Sequence, residues 1–166
     1  MKILIFTEGT IIMHKNAAGH SREEIVKQVE TREQSVKDYK SYVPIGDAVK
    51  KLKRWKSDGA EILYLTSRIK TREIEDVRNV IKSRDFPSGK LLFRKPFRSK
   101  HSEYAAIVGS AKPEIFIEDD CESIGGVEDM TITYVKPEIK KKIKSIVIKE
   151  FGGIGHLPDK ISDLMK

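Results

Sequence analysis

The amino-acid sequence predicts an α/β protein in which a mainly parallel sheet lies between two layers of helices. Three observations indicate this class. Short apolar runs of strand length alternate with stretches of helical periodicity, the connecting segments are short, and 166 residues is the length of one domain. We therefore expect a single Rossmann-like, three-layer α/β/α domain over residues 1–166.

The first elements are a buried strand and a charged helix. Residues 2–6 are apolar and lead into the polar segment 7–10, which predicts a strand that ends in a loop. Ser21 and Glu24 have the spacing of a capping box, so a helix is predicted from residue 22 to residue 39. Its apolar residues form only a broken stripe, which predicts a helix that covers another part of the protein.

From residue 45 onward strand and helix alternate regularly. Helical spacing of apolar residues predicts one helix that carries Trp55 in the core, one that carries Val77 and one that carries Tyr104. Four further strands are predicted at residues 62–65, 91–93, 115–117 and 131–135. The apolar residues after Pro137 fit either a helix or a late strand, and residues 151–158 are predicted to form a loop.

The net charge of +7 has two interpretations. The chain contains 23 Lys and 15 Glu but only two Gln and two Asn, a composition typical of proteins that work at high temperature. The alternative is binding to nucleic acid through two basic segments, residues 90–100 and 136–149. Only Phe93 and Phe97 offer base stacking in the first segment, so the heat-adapted interpretation is favoured.

Cysteine content and hydropathy indicate in which cellular compartment the protein is expected. Cys121 is the only cysteine, which excludes an intramolecular disulfide and a cysteine-based zinc site. No apolar run approaches the roughly 20 residues that span a membrane. We expect a soluble, cytoplasmic protein.

The residues that follow the predicted strands share a chemistry. In open α/β sheets ligands bind beyond the carboxyl ends of the strands. Carboxylates suit Mg²⁺, whereas hydroxyl and ammonium groups suit phosphate oxygens. The same residues also occur as helix caps and in polar loops, so each single match is weak. Together they predict a metal-assisted phosphate site built from Thr7, Glu8, Thr66, Ser67, Arg94, Lys95, Glu118, Asp119 and Asp120.

At these positions the sequence resembles the haloacid dehalogenase-like hydrolase superfamily, and within it the nucleotidase-like branch. The first family motif, Asp-x-Asp-Gly-Thr after a strand, corresponds to residues 6–10, Phe-Thr-Glu-Gly-Thr. The second, a strand that ends in Thr or Ser, corresponds to residues 62–67, and the fourth, a strand that ends in acidic residues, to residues 115–120. The third motif is a lysine, best matched by Lys100 with Lys95 as competitor.

The resemblance implies roles for these residues. Thr66, Ser67, Lys100 and Lys95 would bind phosphate, and Asp119, Asp120 and Glu8 would bind Mg²⁺. The segment 11–42 occupies the place of the family's small cap. Glu8 and Asp119 would be the catalytic residues if the protein is active.

The first motif departs from the family pattern. Phe6 stands where the family has its nucleophilic Asp, and a phenyl ring neither attacks phosphorus nor binds a metal. Glu8 replaces the second Asp. The prediction is therefore a degenerate phosphatase that binds a nucleotide or another phosphorylated ligand. Two alternatives stay open, an active Mg²⁺-dependent phosphatase or nucleotidase with a non-standard nucleophile, and a nucleic-acid-binding protein.

Two smaller features complete the candidate site. The glycine-rich loop with Gly152, Gly153 and His156 is predicted to be able to close over a ligand. His14 and His20 lie in the cap-like segment, where they are either ligand contacts or ordinary surface histidines.

Overall fold

A computed structural model of the chain describes residues 1–96 and 99–166. Phe97 and Arg98, which belong to the first basic segment, lie outside the described residues. None of the described helices is long and apolar enough to cross a lipid bilayer.

Five parallel strands form the central sheet. These strands are β1 (Lys2–Phe6), β4 (Glu61–Leu65), β5 (Lys90–Leu92), β6 (Ile115–Asp119) and β7 (Lys144–Ile148). They lie in the order β5-β4-β1-β6-β7, so β1 is the middle strand. The short strands β2 (Ile12–Met13) and β3 (Val43–Pro44) pair antiparallel outside this sheet. The predicted α/β class is confirmed.

Burial on both faces explains the continuous apolar sequence of the central strand. Ile3, Leu4 and Ile5 of β1 are all fully buried. Ile5 is aligned with Tyr64 of β4 on one side and with Ile117 of β6 on the other. The carboxyl ends of these three strands therefore meet at one edge of the sheet.

The helices are divided between the two faces of the sheet. Trp55 and Val77 pack against one face, and Tyr104, Val108 and Val135 pack against the other. Trp55 is fully buried, as predicted. The helices are α1 (Arg22–Glu30), α2 (Ala48–Ser57), α3 (Thr71–Ser83), α4 (Lys100–Ala111), α5 (Thr131–Tyr134) and α6 (Pro137–Lys140).

The prediction of a strand at residues 131–135 is wrong, because residues 131–134 form the short helix α5. The backbone N–H groups of Thr131 and Ile132 donate to the Glu118 carboxylate over 2.7 and 2.8 Å, which holds the first turn in place. The strand that completes the sheet comes later, as β7 in the tail that the sequence left undecided. Residues 131–135 and β7 both contain β-branched residues, so composition does not show which of the two segments is the strand.

The helix predicted over residues 22–39 is shorter than expected. Its capping box is present, because Ser21 and Glu24 each accept from the other's backbone N–H. The helix ends at Glu30, where Arg32 adopts a left-handed φ of 55°. Two short 3-10 turns, Gln34–Lys37 and Tyr39–Ser41, follow. The pairing of β2 with β3 brings the two ends of the segment 11–42 together. The chain therefore leaves the central domain and returns to it at one place.

Candidate functional site

A cavity of about 280 Å³ lies at the carboxyl ends of β1, β4 and β6, beside the segment 11–42. Its wall combines apolar side chains, three tyrosines, two cations and several carboxylates. The lining residues are Phe6, Glu8, Gly9, His14, Val29, Val36, Tyr39, Tyr42, Ser67, Arg68, Lys100, Tyr104, Glu118, Asp119, Cys121, Ser123, Ile124, Asp129, Thr131, Glu150 and Phe151.

Phe6 belongs to an aromatic cluster in this wall. Its ring meets that of Tyr104 edge-on, with centroids 5.3 Å apart, and lies 6.3 Å from the ring of Phe116. Both contacts are within the range of favourable aromatic pairs. The position that the sequence resemblance assigns to a nucleophile is therefore part of an apolar surface that packs on the core.

Carboxylates gather on another side of the cavity. Among the residues that the structure describes, one group of three has ligand atoms close enough to hold a metal ion: oxygens of Asp119, Asp120 and Glu150 lie within 4.8 Å of one another. An all-oxygen set of this kind suits a hard divalent cation such as Mg²⁺. The sequence alone does not identify Glu150, because it follows β7, whose apolar residues fit a helix as well as a strand. An acidic residue directly after an apolar run was the available signal.

Hydrogen bonds hold all three of these carboxylates, and the Glu150 N–H donates to Asp120 Oδ1 over 3.0 Å. Thr10 Oγ1 donates to Asp119 Oδ2 over 2.7 Å, and the Cys121 N–H donates to Asp119 Oδ1 over 3.0 Å. Ser123 donates to both oxygens of Glu150, through its N–H and its hydroxyl, over 2.7 Å each. Burial nevertheless raises the pKa of Asp119 and that of Glu150. A divalent cation would offset that cost by neutralising the group.

Backbone conformation also supports the acidic group. Gly9 has a φ of 81°, and a Cβ at this position would lie 2.9 Å from Asp119 Oδ2. Only glycine fits here without moving the carboxylate. The Gly9 carbonyl accepts from the N–H of Phe151 over 2.7 Å, which links the loop after β1 to the loop after β7.

Glu8 is not part of the acidic group, in contrast to its predicted place among the metal ligands. Its Oε1 accepts from Thr66 Oγ1 over 2.6 Å and lies 3.2 Å from Arg68 Nε. Its Oε2 accepts from the hydroxyl of Thr7 and, over 3.4 Å, from the N–H of Ser67. The side chain extends toward the loop after β4, whereas Asp119 stands at the end of β6 on the other side of β1.

Arg68 is a site residue that the sequence analysis did not single out. Its guanidinium lies 4.5 Å from the ring centroid of Tyr39, within cation–π range, and donates to the hydroxyl of the same tyrosine. It also donates to Ser67 Oγ over 2.8 Å. Its position directly after Thr66 and Ser67 was the signal that could have found it.

The structure separates the two candidate lysines. Lys100 is the first residue of α4, lines the cavity and pairs with Asp129. Lys95 is exposed and does not line the cavity, and its backbone N–H donates to Glu103 over 3.4 Å. Of the predicted phosphate-binding residues, Thr66 and Ser67 lie together at Glu8, and Lys100 lines the cavity separately.

The predicted substrate-loop residues Gly152, Gly153 and His156 do not line the cavity. A Cβ on Gly153 would lie 2.9 Å from the side chain of Ile45, so this part of the loop packs near the start of α2. Gly152 and His156 are exposed. The residue of this region that lines the cavity is Phe151, whose ring contacts that of His14 edge-on.

The segment 11–42 supplies an aromatic wall. Tyr39 and Tyr42 line the cavity with ring centroids 5.4 Å apart. His14 is buried, and its Nε2 is 2.8 Å from Gln28 Oε1. His20 is exposed, precedes α1, and pairs with Glu24 of that helix. Of the two histidines, His14 is therefore the one that faces the cavity.

Glu118 makes the stability of the protein depend on pH. Burial raises its pKa to about 7, although two backbone N–H groups donate to it. The folded state thus keeps a proton that the unfolded state releases, and the free energy of unfolding falls as pH rises from about 4.5 to about 7. The contribution is about 3 kcal/mol at most.

We expect Glu118→Gln to reduce this pH dependence. Urea unfolding of both proteins at pH 5 and pH 7.5 would measure it. Asp119 and Glu150 remain in the variant and retain their own contributions, so only part of the slope should disappear. Equal slopes for the two proteins would contradict the role of Glu118.

Comparison with known proteins shows the fold. No model of a protein family matches the sequence, and no curated protein matches it either. A chain of the Pnkp1/Rnl/Hen1 complex is similar with a TM-score of 0.57 and 13% identity over 90% of this chain and 46% of that chain, so this protein spans about half of its length. Phosphoserine phosphatase in its apo form is similar with a TM-score of 0.50 and 15% identity over 90% and 93% of the two chains. The chain therefore has the same α/β fold as these two proteins, in agreement with the fold class that the sequence predicts.

Proposed function

We propose that this protein binds a nucleotide or a similar phosphorylated small molecule together with Mg²⁺, and that it does not form an aspartyl-phosphate. One observation carries the proposal. The cavity at the strand ends has grouped carboxylates and two cations, yet the ring of Phe6 stands where the family's nucleophile would be. Binding chemistry is retained and the attacking group is absent.

Asp119, Asp120 and Glu150 are the residues that would hold the metal. A bound Mg²⁺ supplies positive charge to phosphate oxygens. Arg68 and Lys100 line the same cavity and would supply further charge to the ligand. In the absence of a ligand each cation has a carboxylate partner, Glu8 for Arg68 and Asp129 for Lys100.

The aromatic wall supports a ligand with a planar apolar part. Tyr39 and Tyr42 of this wall line the cavity together with valines of the segment 11–42, and Tyr104 lines it beside Phe6. Most of the surface of a small-molecule pocket is apolar, and a few polar groups fix the orientation of the ligand. A nucleobase or another aromatic ring fits this wall, and the phosphate would lie toward the cations.

The similar structures support phosphate as the ligand class. One is a phosphoserine phosphatase, and another belongs to an RNA repair complex. Serine phosphate and RNA share the phosphate group. The exposed lysines 136, 141, 142 and 149 do not line the cavity, so a small molecule is favoured over nucleic acid as the ligand.

Calorimetric titration with adenosine monophosphate in the presence and absence of Mg²⁺ tests the proposal, with adenosine as the matched ligand that lacks phosphate. We expect Mg²⁺-dependent binding of the nucleotide, much weaker binding of adenosine, and no release of phosphate from p-nitrophenyl phosphate. Hydrolysis that Asp119→Asn abolishes would contradict the binding-only function. Binding of single-stranded RNA in preference to the nucleotide, with a steep salt dependence, would favour the nucleic-acid alternative.

A further inference from the structure

We infer that Glu8 is a built-in anion that occupies the phosphate cradle of this protein, so that a phosphate must displace its carboxylate to bind. We call the phosphate cradle the set of Thr66 Oγ1, the Ser67 N–H and the Arg68 guanidinium. The inference deepens the proposed function and rests on it for phosphate as the ligand. The new element is that the side chain of Glu8 closes the cradle to other anions.

The contacts of Glu8 are those of a bound anion. Thr66 Oγ1 donates to one carboxylate oxygen over 2.6 Å, and the Ser67 N–H donates to the other over 3.4 Å. Arg68 Nε lies 3.2 Å from the first oxygen, and the Thr7 hydroxyl donates to the second. All four groups supply hydrogen or positive charge to the carboxylate, and the same kinds of group bind phosphate oxygens.

The cradle is rigid and borders the cavity. Arg68 is held against the Tyr39 ring and also donates to Ser67 Oγ over 2.8 Å. Glu8, Ser67 and Arg68 line the cavity, while Thr66 is fully buried behind them. The side chain of Glu8 is 12% exposed, so it stands between the hydroxyl of Thr66 and the cavity. If the Glu8 side chain moved away, Arg68 would lose the carboxylate that lies 3.2 Å from its Nε.

An anion tethered to the cradle competes with any free anion. Its effective concentration is in the millimolar range or higher, since it is part of the same chain. The apparent affinity for phosphate equals the affinity of the open cradle multiplied by the fraction of molecules in which the cradle is open. Removal of the Glu8 carboxylate should therefore tighten phosphate binding.

The test is calorimetric titration of inorganic phosphate into metal-free protein. We expect Glu8→Ala to bind phosphate at least about tenfold more tightly than the wild type. Glu73→Ala is the matched control, because Glu73 is a carboxylate of α3 that also acts on Arg68 electrostatically but makes no contact in the cradle. We expect its phosphate affinity to stay close to that of the wild type.

A second pair of variants localises the effect. Adding Thr66→Val to Glu8→Ala should remove the gain, since the valine cannot donate. Should Glu8→Ala fail to fold, Glu8→Asp replaces it, because its shorter side chain cannot reach all of the donors. Phosphate affinity that is unchanged in both Glu8 variants would overturn the inference. So would an equal gain in Glu73→Ala, or a gain that survives Thr66→Val.

The outcomes separate this inference from the proposed function. If wild-type protein shows no Mg²⁺-dependent nucleotide binding but Glu8→Ala binds phosphate without metal, the proposed function fails and the closed cradle stands. If the wild type binds nucleotide and Glu8→Ala shows no gain, the proposed function stands and the closed cradle fails.

Discussion

Asp119→Asn is expected to abolish stabilisation of the protein by Mg²⁺. A ligand that binds only the folded state at a hundredfold excess over its Kd stabilises it by about 2.7 kcal/mol. Asp119 is the buried aspartate of the acidic group, and its oxygens lie within 4.8 Å of those of Asp120 and Glu150. An amide in its place offers no negative charge to the cation. Thermal unfolding at increasing Mg²⁺ concentrations would measure the loss.

The metal-free variant should remain folded, which makes the loss interpretable. Burial and the neighbouring Asp120 charge both raise the pKa of Asp119, so the ionised carboxylate destabilises the fold. The amide oxygen can accept from the Thr10 hydroxyl or from the Cys121 N–H but not from both, so the lost hydrogen bond offsets part of the relief from removing the charge. Asp129→Asn is the control, since Asp129 lies in the same cavity but outside the acidic group. A wild-type response to Mg²⁺ in Asp119→Asn would contradict the assignment.

Phe6→Asp is expected to destabilise the metal-free protein by about 3 kcal/mol, because truncation of a core phenylalanine costs about 3–5 kcal/mol and Phe6 is only partly buried. The change removes the ring contacts with Tyr104 and Phe116. It also places a carboxylate beside Glu118, because Ile5 and Ile117 are aligned and Phe6 and Glu118 follow them. We expect Mg²⁺ to restore part of the lost stability by binding the added carboxylate.

Phe6→Asn is the matched variant for this prediction. It has the size and polarity of the aspartate but no charge, so it should lose a similar amount of stability and gain nothing further from Mg²⁺ than the wild type does. Urea unfolding with and without Mg²⁺ compares the three proteins. Equal responses of Phe6→Asp and Phe6→Asn to Mg²⁺ would show that position 6 does not face the metal.

Much of the framework could be predicted because it depends on local sequence. Apolar runs such as residues 2–6 and 62–65 can be buried on both faces only as inner strands of a covered sheet. Ser21 and Glu24 form their capping box within four residues. The end of a strand is likewise a local feature, so Glu8, Ser67 and Asp119 were found from the order of the motifs.

Partners that meet across the fold could not be predicted in the same way. Glu150 joins Asp119 because β7 pairs with β6, and the sequence did not identify β7. Residues 131–134 form a helix whose first two N–H groups donate to the Glu118 carboxylate, which lies thirteen residues before the start of the helix. Both contacts join residues that are far apart in the sequence, so the spacing of neighbouring residues does not predict them.

The sequence by itself determined the α/β class and the strand ends that form the cavity, and its resemblance to a hydrolase family places Phe6 where that family has a nucleophile. The tertiary structure decided how the charged side chains are paired. Glu8 follows β1, which lies between β4 and β6, so its carboxylate could extend toward Arg68 after β4 or toward the acidic group after β6. The sequence does not show which strand lies on which side of β1. Carboxylates repel one another and attract a guanidinium, so once β4 brings Arg68 within 3.2 Å, Glu8 pairs with the cation.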